Sequence, residues 1–418
     1  MSEDVINSLV VNNILLVNSF VSPVDGVNTS FCVSKRECYV LVSDGLMIYY
    51  VRVYDNTVGD LVELMDGWEV AVYYLNGIVH YARISSDEKT VYYGRLRVEN
   101  GSLVKEHEEV VDSVENGYID NVNIAVSENG DRLVTYQYTV TSWGSPSARE
   151  LRANGVFLYN LRTWRVYWRK TYPAFIGNAG YVVFLSRSDN FDVYDTFKYV
   201  LVYKVIGSQV EEIYESEEQV DKDGLGVIGF NNSLYITYVS RKNDYTRAVR
   251  LIVIDPDGSY SEHEIFTFQM DNPTSHYYWW ATPFVHAGTR TLYVLVYRAL
   301  VNTPEATLYL LKVDTENKTA SLELTIQIPL EEYQRGYSFS FSTMPVVLSR
   351  LQLFTYTITE QRDWYLKLGG FLLPVEEPVE EVEEETTEAK PTNLLPLLLM
   401  LLLLIMFLRA GLKRFKEG

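Results

Sequence analysis

Apolar positions in this chain come in short runs rich in Val, Ile, Leu, Tyr and Phe, each closed by a turn-forming stretch. The three-to-four-residue spacing of a helix is nearly absent before residue 374. The clearest runs are Leu46–Val53, Thr90–Val98, Gly155–Leu161, Lys198–Val205, Val249–Ile254, Thr307–Val313 and Leu351–Ile358. Their starts lie 44, 65, 43, 51, 58 and 44 residues apart. Most have similar neighbours: Leu292–Tyr297 precedes Thr307–Val313, and Ala320–Ile328 follows it across a turn. Three or four strands recurring about every 50 residues predict an all-β fold, a β-propeller of about seven blades over residues 1–373. Lys198–Val205 is apolar on both faces of its pleat, which suits blades stacked face to face. A ring of blades needs closing, and Ser8–Phe20 is the strand expected beside Trp364–Leu368. The alternative is two β-sandwich domains divided near 172–177.

The pattern changes abruptly at the far end. Leu394–Leu408 carries no charge. As a helix it would be about 22 Å long, and about 28 Å if continued to Leu412, against a hydrocarbon core of about 30 Å. Arg409 can bury its stem and raise its head to the interface. This predicts one transmembrane helix over 393–412, with the lipid bilayer as partner, followed by a basic tail at 413–418. Lys413, Arg414 and Lys416 mark that tail as cytoplasmic. Before the helix, 374–392 holds eight glutamates and one lysine between prolines. Like charges and prolines predict a solvated stalk reaching up to roughly 60 Å. Residues 1–373 are then expected to be extracellular, on a cell membrane or on a host membrane or virion envelope. The acidic start Met1–Asp4, and Asn7, Asn12, Asn13 and Asn18 after it, are not the composition of a secretory signal. The competing expectation is therefore a cytoplasmic, tail-anchored scaffold.

The net charge is -19, with no basic run outside the tail, so nucleic-acid binding is not expected. Cys32 and Cys38 bracket five residues, a spacing that suits a disulfide across a hairpin, although a reduced pair fits as well. A zinc site is not expected, because no second pair or nearby histidine completes four ligands, and no cofactor is expected.

Ala125-Val-Ser-Glu-Asn-Gly-Asp-Arg-Leu-Val134 resembles the Ser-Pro-Asp-Gly-x-x-Leu turn of TolB-type and WD40-like propellers, and Ile84–Tyr93 is similar without its glycine. Both lack the proline. The resemblance implies the propeller architecture and says little about activity. Ser85–Tyr92 also looks like the Asp-box of sialidase-like propellers, with Lys89 in place of the glycine. In those proteins the box is a folding element remote from catalysis. The abundance of Tyr and Val resembles proteins of hyperthermophilic archaea and their viruses. Spacer, single span and basic tail together resemble archaeal cell-surface proteins.

No nucleophile elbow, phosphate-cradling glycine loop or His-Glu-x-x-His pair is present. Of the histidines His80, His107, His263, His276 and His286, no two have ligand spacing. Asp221–Gly224 and Asp255–Gly258 hold two acids and a glycine each, too few oxygens for a calcium loop, and read as turns. The candidate binding residues are His276, Tyr277, Tyr278, Trp279 and Trp280, aromatics suited to sugar rings or a protein surface. Their alternative role is packing between blades. Asn28, Asn100, Asn231 and Asn317 each begin a glycosylation acceptor, relevant if the domain faces outward. The expected function is binding, adhesion or envelope structure. The alternative is a membrane-tethered enzyme acting on glycans, which would need two carboxyls about 5–10 Å apart.

Overall fold

The computed structural model describes residues 10–375, apart from 12–13, 23–28, 56, 141–147, 162–170, 188–197, 219, 222–223, 271–276, 301–304, 330–340, 349 and 361–362. The stalk, span and tail predicted at 374–418 lie outside the described residues from position 376 onward, as do His276 and Asn28. By internal contacts the chain divides into Met1–Val375 and Glu376–Gly418. Among the described residues no helix is long and apolar enough to cross a membrane.

The first unit is an all-β propeller. Six blades are each made of four consecutive antiparallel strands. Blade 1 runs Thr29–Cys32, Glu37–Ser43, Met47–Tyr54 and Thr57–Asp66. Blade 2 runs Glu69–Leu75, Ile78–Ile84, Thr90–Glu99 and Ser102–Ser113, and blade 3 Tyr118–Val126, Arg132–Val140, Ala148–Ala153 and Val156–Leu161. Blade 4 runs Tyr172–Ile176, Ala179–Arg187, Lys198–Ile206 and Gln209–Glu215, and blade 5 Gly226–Phe230, Ser233–Arg241, Thr246–Ile254 and Tyr260–Gln269. Blade 6 runs Tyr277–His286, Thr291–Leu300, Glu305–Asp314 and Thr319–Pro329.

A seventh sheet is composite. Phe341–Thr343, Leu351–Glu360 and Asp363–Leu372 come from the far end of the propeller, and Ile14–Ser22 and Val10–Val11 from its start. The pairing runs from Ile14 opposite Phe371 to Ser22 opposite Trp364. This is the closure expected from the leftover apolar run at 8–20. It removes the edge that an open ring would expose. The innermost strands of blades 1 to 6 and Phe341–Thr343 neighbour one another in order and return to blade 1. The arrangement excludes two sandwiches.

Of the seven runs singled out above, five are the third strand of their blade. Gly155–Leu161 corresponds instead to a fourth strand and Leu351–Ile358 to a second. That displacement accounts for the long 65-residue step followed by the short 43-residue one. Burial on both faces is visible in Thr246–Ile254, where only Arg250 is not fully buried. The apolar clusters lie between blades: Leu251, Val253, Val294 and Val296 join blades 5 and 6, and Val183, Val202, Ile236 and Ile252 join blades 4 and 5. Each such side chain contributes about 1.5–3 kcal/mol on burial.

Cys32 and Cys38 sit opposite each other in blade 1 and are joined as a disulfide. The Cys32 Sγ lies 3.1 Å from Met344 Sδ, at the seam where the ring closes.

The two ends of the ring differ. At one, the turn end, strands one and two and strands three and four of each blade are joined, several by two-residue turns. Asn76-Gly77, Asn100-Gly101 and Asn154-Gly155 have left-handed backbone at both positions, the conformation that lets a two-residue hairpin follow the strand twist. The connections at the opposite end include ten-residue stretches at 188–197 and 216–225 and eleven residues at 330–340. We call this the loop end.

Candidate functional site

Two groups of side chains at the loop end lie at blade boundaries where a ligand could meet them, and a third set of contacts is structural. The first surrounds Trp279, on the innermost strand of blade 6. Its Nε1 donates to the Asp221 carbonyl at 3.0 Å, and the Arg247 guanidinium lies over its ring at 4.9 Å. Arg247 pairs with the Asp221 carboxylate and donates to the Asn243 carbonyl at 2.8 Å. Burial draws the Arg247 pKa down, against the pull of Asp221. Gly224 and Gly226 let the strand of blade 5 lie against this one: a Cβ at Gly224 would sit 2.8 Å from the Trp279 carbonyl oxygen, and one at Gly226 2.4 Å from Pro283 Cδ. The Asp221–Gly224 stretch thus brings Asp221 to Arg247, and it supports blade packing.

The candidate aromatics divide accordingly. Trp279 is 2% exposed and belongs to the blade 5–6 core with Phe268, Val249 and Val296, so it takes the packing role and is not available to a ligand. Trp280 is half-buried and reaches solvent. It also packs against the apolar cluster that joins blade 6, the composite sheet and blade 1. Tyr277 and Tyr278 begin the same strand, in register with Leu300 and Ala299. Tyr245, missed from the sequence, is an exposed aromatic in the blade 5 loop beside this group.

The second group lies between blades 2 and 3. Arg149 donates from Nε to Thr139 Oγ1 at 3.0 Å and from Nη2 to the Tyr118 hydroxyl at 3.2 Å, and stands 3.5 Å from Asp120 Oδ2. The strand bulges between Asp120 and Asn123, with Asn121 in left-handed backbone. Burial raises the Asp120 pKa, and Arg149 opposes it. Glu88, in the adjacent loop, is raised by burial and then by the Asp120 charge. The loop around it, 85–90, is the Asp-box-like stretch. It is closed by its own bonds, Lys89 N to Ser85 Oγ at 3.2 Å and Thr90 N to Ser85 Oγ at 3.0 Å. No sequence motif marks this group. The signal was a charged residue inside an apolar run, as with Asp120 in Tyr118–Val126.

The third feature repeats around the ring and is structural. A buried tyrosine donates to a carboxylate flanked by an arginine: Tyr39 to Glu37 at 2.6 Å with Arg52, Tyr81 to Glu108 at 2.6 Å with Arg83, and Tyr136 to Asp112 with Arg152. Arg83 grips Glu108 with two bonds of 2.7 and 2.9 Å. These sets account for part of the chain's 33 tyrosines.

The remaining candidates lie elsewhere. Asn100, Asn231 and Asn317 are exposed and occupy turns at the turn end. Asn231 accepts from Arg290, and Asn317 Nδ2 donates to Asp314 Oδ2 at 2.7 Å. Ala125–Val134, the TolB-like stretch, forms the turn between the first two strands of blade 3, with Ser127 N bonded to the Asp131 carbonyl at 2.8 Å. Asp255–Gly258 is likewise a turn, closed by Gly258 N to the Asp255 carbonyl at 2.9 Å. His80 is buried against the Tyr93 hydroxyl at 2.8 Å and His286 against Thr289 Oγ1 at 2.9 Å. Among the described residues no three His, Cys, Asp or Glu side chains are grouped to hold a metal ion.

No protein-family model matches the chain, and no curated protein matches it. Solved structures do resemble it. The β-propeller domain of Nup133 from Vanderwaltozyma polyspora is 10% identical and matches 84% of this chain and 100% of that one, with a TM-score of 0.35. The Aleuria aurantia lectin, in complex with Fucα1-6GlcNAc, is 10% identical over 73% of this chain and 96% of that one, at 0.38. The NanB sialidase of Streptococcus pneumoniae is 7% identical over 89% and 72%, at 0.41.

Proposed function

We propose that this chain is a single-pass surface protein, cellular or viral, that displays a propeller for binding, adhesion or envelope structure. The observation that carries the binding role is the difference between the two ends of the ring. One end closes in short turns, and the other has the longer connections by residue count and, among the described residues, solvent-reaching aromatic and charged groups. A rigid scaffold presenting variable loops is the usual basis of a binding module. Trp280 and Tyr245 offer flat apolar faces, and Asp120, Glu88 and Arg149 offer hydrogen-bonding partners, which together suit the mixed faces of a glycan or a polar protein surface. Anchoring rests on the uncharged run Leu394–Leu408 and its acidic and basic flanks. The outward orientation rests on the same flanks.

A second reading is a membrane-tethered enzyme acting on glycans, favoured by the raised pKa values of Asp120 and Glu88, the condition a general acid needs. A glycan array probed with the full chain in detergent separates the two. Retention without turnover, reduced by Trp280→Ala and by Asp120→Asn, is the expected result. Turnover abolished by Asp120→Asn with the fold intact would instead establish the enzyme.

A further inference from the structure

The turn end carries an unexplained feature. Large apolar side chains stand exposed at its hairpin tips, and blades 1 to 5 each supply one: Tyr54, Ile78, Phe157, Ile206 and Tyr260. Val346, on a short strand paired in parallel with the innermost strand of blade 6, and Leu372, in the composite sheet, add two more. Ile206 and Tyr260 are 57% and 60% exposed, although the Tyr260 ring also meets Tyr214 of blade 4 edge-on at 4.8 Å. Single exposed apolar residues are ordinary on any surface. Their recurrence at one end of successive blades is not required by the fold, because a hairpin tip needs only its Gly or Asn. Tyr54 lies under Arg52 and Tyr260 against Tyr214, and none of these side chains sets its turn.

The chain itself points to what covers them. Asp363–Leu372 finishes at the turn end, and Leu373 is fixed there by a 2.7 Å bond from its N–H to the Arg350 carbonyl. The sequence continues from that end towards the apolar run at 394–408. We infer that the turn end docks on the lipid bilayer, its apolar hairpin tips entering the interfacial layer. This rests on the anchored reading proposed above. A tether keeps the tips at high effective concentration at the membrane, so weak contacts at each blade suffice. Exposed charges at this end include Lys35, Arg36 and Arg290 but more acids, among them Asp55, Glu99, Asp131, Asp257 and Glu316. The fitting surface is therefore zwitterionic, not anionic. Glycans at Asn100, Asn231 or Asn317 would hold this end away from lipid.

The test uses the full chain, made without N-glycosylation and reconstituted into phosphatidylcholine vesicles. An environment-sensitive fluorophore replaces Ile206, Tyr260 or, at the loop end, Tyr245. All three side chains are exposed, so the fold tolerates the change. Quenching by brominated lipid should be several-fold stronger at 206 and 260 than at 245. Equal quenching at all three positions, in protein that floats with the vesicles, overturns the docking and leaves the anchor standing. Protein that fails to float removes the anchor and the docking with it. In the floating protein, Ile206→Ser with Phe157→Ser and Tyr260→Ser should abolish the difference, read from a label at Ile78.

Discussion

Trp279 and Glu108 are the residues on which the account is most exposed. Trp279→Ala removes a side chain buried between two blades and leaves Arg247 without its ring. Large aromatic deletions of this kind cost about 3–5 kcal/mol. The expected outcome is a lower melting temperature and poor folding. An intact fold with lost ligand retention would show that Trp279 belongs to a binding site. Gly226→Ala is expected to cost about 1–3 kcal/mol, because the added methyl would press on Pro283 and the Ala281 carbonyl, 2.4 and 2.6 Å away. Burial raises the Glu108 pKa, but the bonds from Arg83 and Tyr81 outweigh it and hold it at about 2. A depressed folded-state value adds stability above the unfolded value near 4.5, and that stability is lost as pH falls towards 2. Glu108→Gln should therefore lower the melting temperature at neutral pH and flatten its decline between those limits. An acid limb unchanged by the substitution would contradict the pairing. Little of this was legible in the sequence. Four consecutive aromatics at 277–280 announce something apolar, but they do not say that Trp279 turns inward while Trp280 reaches solvent. That division depends on strand register and on Gly224 and Gly226 in another blade.

At the scale of elements the sequence was more informative, because period-two burial and turn residues are local. Thr90–Glu99, Lys198–Ile206 and Glu305–Asp314 lie within a residue or two of the apolar runs that announced them. The edge strands were harder: Thr57–Asp66 is largely exposed, so its polar residues blur the pattern of a strand. The pairing of Ile14–Ser22 with Asp363–Leu372 was legible only as a leftover strand at one end and an incomplete unit at the other. Removing residues 1–22 strips the composite sheet of both strands from the start of the chain and reopens the ring. The truncated chain should lose cooperative unfolding, followed by circular dichroism on heating. A melting curve matching that of the full chain would show that the closure contributes nothing.

For the whole molecule, the propeller follows from strand order, while its place at a membrane follows from residues 374–418 and is a proposal. The polar groups at the loop end were not foreseen, because segments far apart in sequence build them: Trp279 donates to the carbonyl of Asp221, 58 positions away. The central claim joins these parts into a propeller held outside a membrane by its tail. Protease shaving of intact cells or particles, with mass spectrometry of what is released, tests it most directly. The account predicts release of a folded fragment of roughly 370 residues, cut within the glutamate-rich stretch at 376–388. Full protection that disappears only on lysis would contradict it and place the propeller on the cytoplasmic side.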